Sequence, residues 1–133
     1  MPFCFLTSAE QRRVSPFFMS DLRLSLLICT INDRITGVPE MLLPERPDVE
    51  YVVSFQYTDP MFLDMVPEVL RTRGDVRFLP FLGAGLSANR NNALRHCSTA
   101  LAVVADDDAR YTEEDLTAVI RLAEAQPQVD IFC

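Results

Sequence analysis

Three adjacent carboxylates, Asp106, Asp107 and Asp108, close the apolar run from Ala100 to Ala105. They are the residues of this chain best suited to chemistry. Like charges this close repel by on the order of several kcal/mol in a partly buried site, so an ordinary strand end has little reason to gather them. A divalent cation removes the conflict, because carboxylate oxygens are the ligands that Mg²⁺ and Mn²⁺ prefer. Alternate residues of an extended strand share a face. That places Asp106 and Asp108 together and turns Asp107 away, so the D-x-D spacing is a candidate metal pair. The plainer reading is an acidic loop with solvated side chains.

A second constellation runs Gly85-Leu86-Ser87-Ala88-Asn89-Arg90-Asn91-Asn92-Ala93-Leu94. Four consecutive polar residues, Asn89 to Asn92, occupy the first turns of a helix that needs an apolar face. Helix openings suit anions, since their free N–H groups and dipole point outward. An arginine there can pair with a diphosphate. Without that ligand, Arg90 is a surface residue and the asparagines are capping groups.

The elements that must position these residues alternate. Leu24 to Thr30 is a short apolar run suited to a buried strand, ended by the turn residues Asn32 and Asp33. A short helix is expected at Glu40 to Leu43, between Pro39 and Pro44. A second strand is expected at Val49 to Phe55, and a kinked or split helix at Met61 to Leu70, around Pro67. Val76 to Leu82 forms the third strand, and a helix capped by Ser87 runs to about Cys97. Ala100 to Ala105 forms the fourth. Thr112 with Asp115 resembles a capping box for a helix that buries Leu116, Val119, Ile120 and Ala123 and stops at Gln126-Pro127. Val129 to Cys133 begins a fifth strand. Such alternation predicts an α/β domain, a mostly parallel sheet of about four or five strands with helices on both faces, whose ligands bind beyond the carboxyl ends of the strands.

Composition narrows the function. The 133 residues carry a net charge of −7, and the twelve basic residues are all arginine with no cluster among them. A nucleic-acid partner is therefore not expected. The four cysteines, Cys4, Cys29, Cys97 and Cys133, form no C-x-x-C pair, and with the single His96 they give no zinc spacing. Cys29 and Cys97 read as small core residues in a reducing, cytoplasmic setting. No run approaches the roughly 20 apolar residues of a membrane span. Residues 1–18 read as an unfolded or foreign leader, wrongly ordered for a signal peptide, and residues 19–133 as the domain. The last strand is apolar with no helix after it, so a truncated domain is expected. An unpaired apolar edge there invites a homo-oligomer.

In order, strand–Thr30-x-Asn32, strand, strand–Gly85-x-Ser87-x-x-Arg90-Asn91-x-Ala93-Leu94 and strand–Asp106-Asp107-Asp108 resemble the inverting glycosyltransferases of family 2, with the GT-A fold. The likeness covers about Leu24 to Cys133, as the nucleotide-diphospho-sugar-binding half of such an enzyme. It implies Asp106 and Asp108 as contacts to the metal (Mn²⁺ or Mg²⁺) and the sugar nucleotide. Asp107 joins them as a third member, leaving open which neighbour is the true ligand. It also implies Arg90 near the diphosphate, and Thr30, Asn32 and Asp33 bordering the nucleotide. The implied donor is a UDP-sugar. The implied acceptor is a glycan or glycolipid, as in hexosyl transfer for polysaccharide biosynthesis, with the protein cytoplasmic and peripheral to the inner face of the membrane. The catalytic base and acceptor site are expected beyond residue 133. One departure is plain: where many members carry an aspartate in the second strand, this chain has Ser54, in the run Ser54-Phe55-Gln56-Tyr57-Thr58-Asp59. A divergent branch is implied.

Three other readings compete with it. Gly83-x-Gly85-x-x-Ala88 matches a dinucleotide fingerprint, which makes an NAD(P)-binding domain the alternative enzyme. Against it, the fingerprint follows the third strand, and three aspartates stand where one suffices. A receiver domain needs a lysine, and the chain has none. An inactive remnant that only binds its ligand shares the fold and differs in turnover.

Overall fold

The computed structural model describes the backbone of Cys4–Thr7 and residues 21–132. Most of the expected leader and the final Cys133 thus lie outside the described residues. Cys4–Thr7 form a strand, β1, paired antiparallel with the fourth apolar run.

That run and the three before it become the parallel strands β2 (Leu24–Ile31), β3 (Val49–Tyr57), β4 (Val76–Leu82) and β5 (Leu101–Asp106). With β6 (Ile131–Phe132), they form one sheet in the order β4-β3-β2-β5-β1-β6. From β2 the chain steps outward to β3 and β4, then returns to place β5 on the other side of β2. The strand order therefore reverses between β2 and β5, and their carboxyl ends open a crevice there. Register levels those ends, with Thr30 opposite Phe55 and Cys29 opposite both Ser54 and Asp106.

Burial on both faces explains why β2 and β3 read as continuous apolar runs rather than alternating ones. On one face Leu24, Leu26, Ile28, Val53, Phe55 and Val103 pack under α3 (Glu113–Ala125), through its Leu116, Val119, Ile120 and Ala123. On the other, Leu27, Cys29, Val52 and Ala102 meet Ala93 and Leu94 of α2 (Leu86–Arg95). The second cluster is smaller because β3 also presents Ser25's neighbour Glu50, with Ser54 and Gln56, to that side. Buried Glu50 accepts from Ser25 Oγ at 2.6 Å and Ser98 Oγ at 2.5 Å, so its carboxylate is satisfied in place.

The first connection differs from expectation. Instead of a helix at Glu40 to Leu43, a 3₁₀ helix spans Asn32–Met41 and buries Ile35, Val38 and Met41. Those apolar residues recur every third position, which matches three residues per turn, whereas an α-helix would rotate them off one face. The split around Pro67 is as expected: a 3₁₀ helix at Pro60–Met65, then the single turn α1 at Val69–Thr72. The fifth strand is shorter than expected, Ile131–Phe132.

The cap of α3 is complete even with aspartate at its third position. Asp115 N donates to Thr112 Oγ1 at 3.1 Å, and Thr112 N donates to Asp115 Oδ2 at 2.8 Å. Both free donors at the helix start are thereby met. Thr112→Ala is expected to destabilise the domain by about 1 kcal/mol. In a melting experiment that is a drop of roughly a few degrees.

Candidate functional site at the carboxyl ends of β2 and β5

Strand pairing on β5 stops at Asp106, and the chain turns at once, with Ala109 N donating to Asp106 O at 3.1 Å. The alternation expected of Asp106, Asp107 and Asp108 therefore holds only as far as the turn. Asp106 lies on the α2 side, where Arg90 Nη2 donates to its Oδ1 at 3.1 Å. Asp107 lies on the opposite side. Its Oδ2 accepts from Thr30 Oγ1 at 2.9 Å and from Arg34 Nε at 2.8 Å, and its Oδ1 from Arg34 Nη2. Asp108 is exposed within the turn.

The three carboxylates thus have different circumstances. The side chain of Asp107 is only 7% exposed, with both oxygens engaged, whereas that of Asp106 is 62% exposed and holds one donor. The Asp107 carboxylate favours the charged guanidinium of Arg34, raising its pKa further through the hydrogen bond and then through charge. A planar guanidinium donating from two nitrogens to two oxygens is the strongest geometry such a pair can take. Asp107 therefore ties the turn after β5 to the 3₁₀ helix after β2. A second pair of reversed polarity, Arg110 Nη2 to Glu40 Oε2 at 3.0 Å, joins the same two segments.

The α2 side of the crevice is built from amides. Gly85 caps α2 at φ +123°, a conformation that L side chains rarely adopt, and no side chain caps the helix. Ser87, expected to be the cap, lies inside the first turn. Asn89, 3% exposed, donates through Nδ2 to Thr30 O at 3.0 Å. Asn92 donates to Ser54 Oγ at 2.9 Å. These asparagines bind the helix to the strand ends, which is why the helix tolerates polar residues where apolar ones were expected. Among the described residues, three buried polar atoms here lack a partner: Asn89 Oδ1, Arg90 Nε and Gln56 Nε2, the last on a residue 2% exposed. Unmet buried atoms clustered at one end of a sheet mark a place where water or a ligand completes the bonding.

The other expected residues divide. Thr30 is in the cluster. Asn32, at φ +52°, bridges to β3: Thr58 N donates to its Oδ1 at 2.9 Å, and its Nδ2 donates to Thr58 Oγ1 at 3.1 Å. Asp33 is exposed, and its carbonyl accepts from Thr36 Oγ1 at 2.9 Å, with no bond to the aspartate turn among the described residues. Arg34 and Gln56 take places that the sequence reading did not assign to them. The signal for Arg34 was arithmetic, since three aspartates in a lysine-free chain need arginines. Cys29, beneath Asp106, has its thiol pushed up to about 11 by burial, with Arg90 lowering it and Asp106 and Asp107 raising it. It stays protonated at neutral pH and is no nucleophile. Burial, then Asp106 and Asp115, raise the Tyr111 hydroxyl as well.

Comparison with known families fits this arrangement. A model described as glycosyl transferase family 2 matches residues 29–133. The chain belongs to that family. No match was found among curated proteins or among solved structures. In this family 2 domain, the matched span begins at the end of β2 and takes in both constellations, so the arginines and aspartates that meet in the crevice lie inside it. The glycine fingerprint that suggested a dinucleotide follows β4, the edge strand, rather than β2. A depression of about 460 Å³ lined by Glu45, Arg46, Asp75 and Arg77 lies at the opposite pole, beside the starts of β3 and β4. Among the described residues, no helix is long and apolar enough to cross a membrane.

Because Asp107 is closed on Arg34 and Thr30 while Asp108 is exposed, their neutral variants should separate. Asp107→Asn is expected to lower the melting temperature clearly, and Asp108→Asn to leave it nearly unchanged. Equal losses would show that the Asp107 clamp does not hold the two segments.

Proposed function

We propose that this glycosyltransferase domain binds the diphosphate of a nucleotide-diphospho-sugar, most simply a UDP-sugar, in the crevice between β2 and β5. The observation that carries the reading is the division of labour among the aspartates. Asp107 is consumed in holding the turn, which leaves two exposed carboxylates for a cation: Asp106, beside Arg90 of α2, and Asp108 two residues on.

Among the described residues, no three His, Cys, Asp or Glu side chains gather to hold a metal. Mg²⁺, with Mn²⁺ similar in its taste for oxygen, is commonly held by one or two carboxylates plus substrate phosphates and water rather than by an all-protein cage. Asp106 and Asp108 would be its protein ligands, and bound there it would neutralise charge building on the departing diphosphate. Arg90 and the N–H groups of α2's first turn add fixed positive charge on the same side. Thr30 and Asn32 shape the floor at the end of β2, and Asp33 borders it from outside. Ser54 stands where a charged acceptor for a base would be expected. Transfer is taken as inverting, by direct attack of a glycan or glycolipid hydroxyl at the inner face of a membrane. No residue of this chain is assigned as the general base.

Thermal melting with UDP, with and without Mn²⁺, and with NAD in parallel, tests the proposal. Ligand at about a hundred times its dissociation constant adds roughly 2.7 kcal/mol. The expected outcome is a shift that needs UDP and Mn²⁺ together and is lost in Asp106→Asn/Asp108→Asn. A shift with NAD alone would overturn it.

A further inference from the structure

The two arginine–aspartate pairs of the crevice differ in kind. Arg34, itself 56% exposed, grips Asp107 with two nitrogens on two oxygens, and that carboxylate is 7% exposed. Arg90 touches Asp106 with one nitrogen at 3.1 Å, both side chains are well exposed at 40% and 62%, and its Nε is buried without a partner. One pair is closed. The other uses a single prong of a fork shaped for two oxyanion atoms, and holds it on a carboxylate that solvent reaches.

Asp106 is also one of the two carboxylates left available to a cation once Asp107 is committed. Arg90 and a divalent cation therefore compete for the same oxygen. We infer that Arg90 is a resident counter-charge, holding Asp106 while the site is empty and giving it up when a divalent cation arrives. The freed guanidinium, with its unmet Nε, then turns to the diphosphate. Each ligand removes what holds the other's binding group, so the two are coupled through Arg90. This role rests on the donor-site reading above and adds to it an exchange within the chain itself. Arg34 cannot serve in the same way, because releasing Asp107 would also release the 3₁₀ helix.

Competition makes an unusual prediction: removing a positive residue should strengthen cation binding before any nucleotide is present. Free Mn²⁺ is measured by electron paramagnetic resonance as the chain is titrated with Mn²⁺ alone. Arg90→Gln should bind Mn²⁺ about threefold to fivefold more tightly than wild type, the range expected from losing one exposed ion pair. Arg90→Lys, which keeps the charge, should stay close to wild type. Arg110→Gln also removes a positive charge beside the turn but leaves Asp106 alone, and should show no such gain.

In the converse arm, metal is removed with a chelator and UDP binding is followed by calorimetry. Asp106→Asn should bind UDP more tightly than wild type, and the gain should vanish in Asp106→Asn/Arg90→Gln. An Arg90→Gln chain whose Mn²⁺ affinity is unchanged or weaker overturns the exchange, as does an equal gain in Arg110→Gln. If wild type binds no UDP even with Mn²⁺ present, the donor-site reading itself fails. Melting curves of each variant confirm that the folded chain is being compared.

Discussion

Asp107 is the residue on which the crevice depends. A carboxylate just after β5, accepting from Thr30 and from two nitrogens of Arg34, joins the two connections that the exposed Arg110–Glu40 pair also links. The carboxylate is nearly buried while the Arg34 guanidinium stays half-exposed, so water screens this pair less than a fully exposed one. With Asp107 fixed, the turn from Asp106 to Ala109 has one course. Its two neighbours then stand at set places, one toward α2 and one toward solvent. The chain resolves the repulsion of three adjacent carboxylates by giving each a separate neighbourhood rather than by neutralising all of them.

The second constraint is the thinness of the α2 face. On the α3 face, large aliphatic and aromatic side chains fill the space between sheet and helix. Under α2 a smaller set, Leu27, Cys29, Val52 and Ala102, meets Ala93 and Leu94, with amides and a hydroxyl beside them. A polar interface of this kind gains little from burial of apolar area. In return it fixes geometry, since each hydrogen bond ties a named atom of the helix to a strand end. Asn89 on the carbonyl of Thr30 is the clearest case, because it links the helix that carries Arg90 to the strand that carries the clamp.

Much of this was legible in the sequence. The four parallel strands, the buried face of α3 and its Thr112 cap follow from apolar runs and spacing, with bounds shifted by a residue or two. The stretch after β2 was misread because Pro39 and Pro44 suggested a short α-helix between them, while the three-residue spacing of Ile35, Val38 and Met41 pointed to a 3₁₀ helix. Ser87 was misread as a cap because Gly85 supplies the bend without a side chain. At the carboxyl ends of the strands, residue types singled out Asp106, Asp107, Asp108, Thr30 and Arg90, but not the contacts they make. Alternation along a strand says where Asp107 points, and not that Arg34, from a segment seventy-odd positions earlier, meets it there. Gln56 and Asn89 were hidden for a related reason: an amide in a strand or helix looks like surface until a partner element covers it.

The most direct test of the account is to find where a divalent cation sits on this chain. Backbone amide spectra of the folded protein are recorded by nuclear magnetic resonance with UDP, while Mn²⁺ is added in small substoichiometric steps. Paramagnetic broadening should begin at Asp106, Asp107, Asp108 and Ala109, spread to the first turn of α2 and the end of β2, and spare the Glu50 pole. Broadening centred on the depression beside Glu45 and Asp75, or spread evenly over the acidic surface, would contradict it.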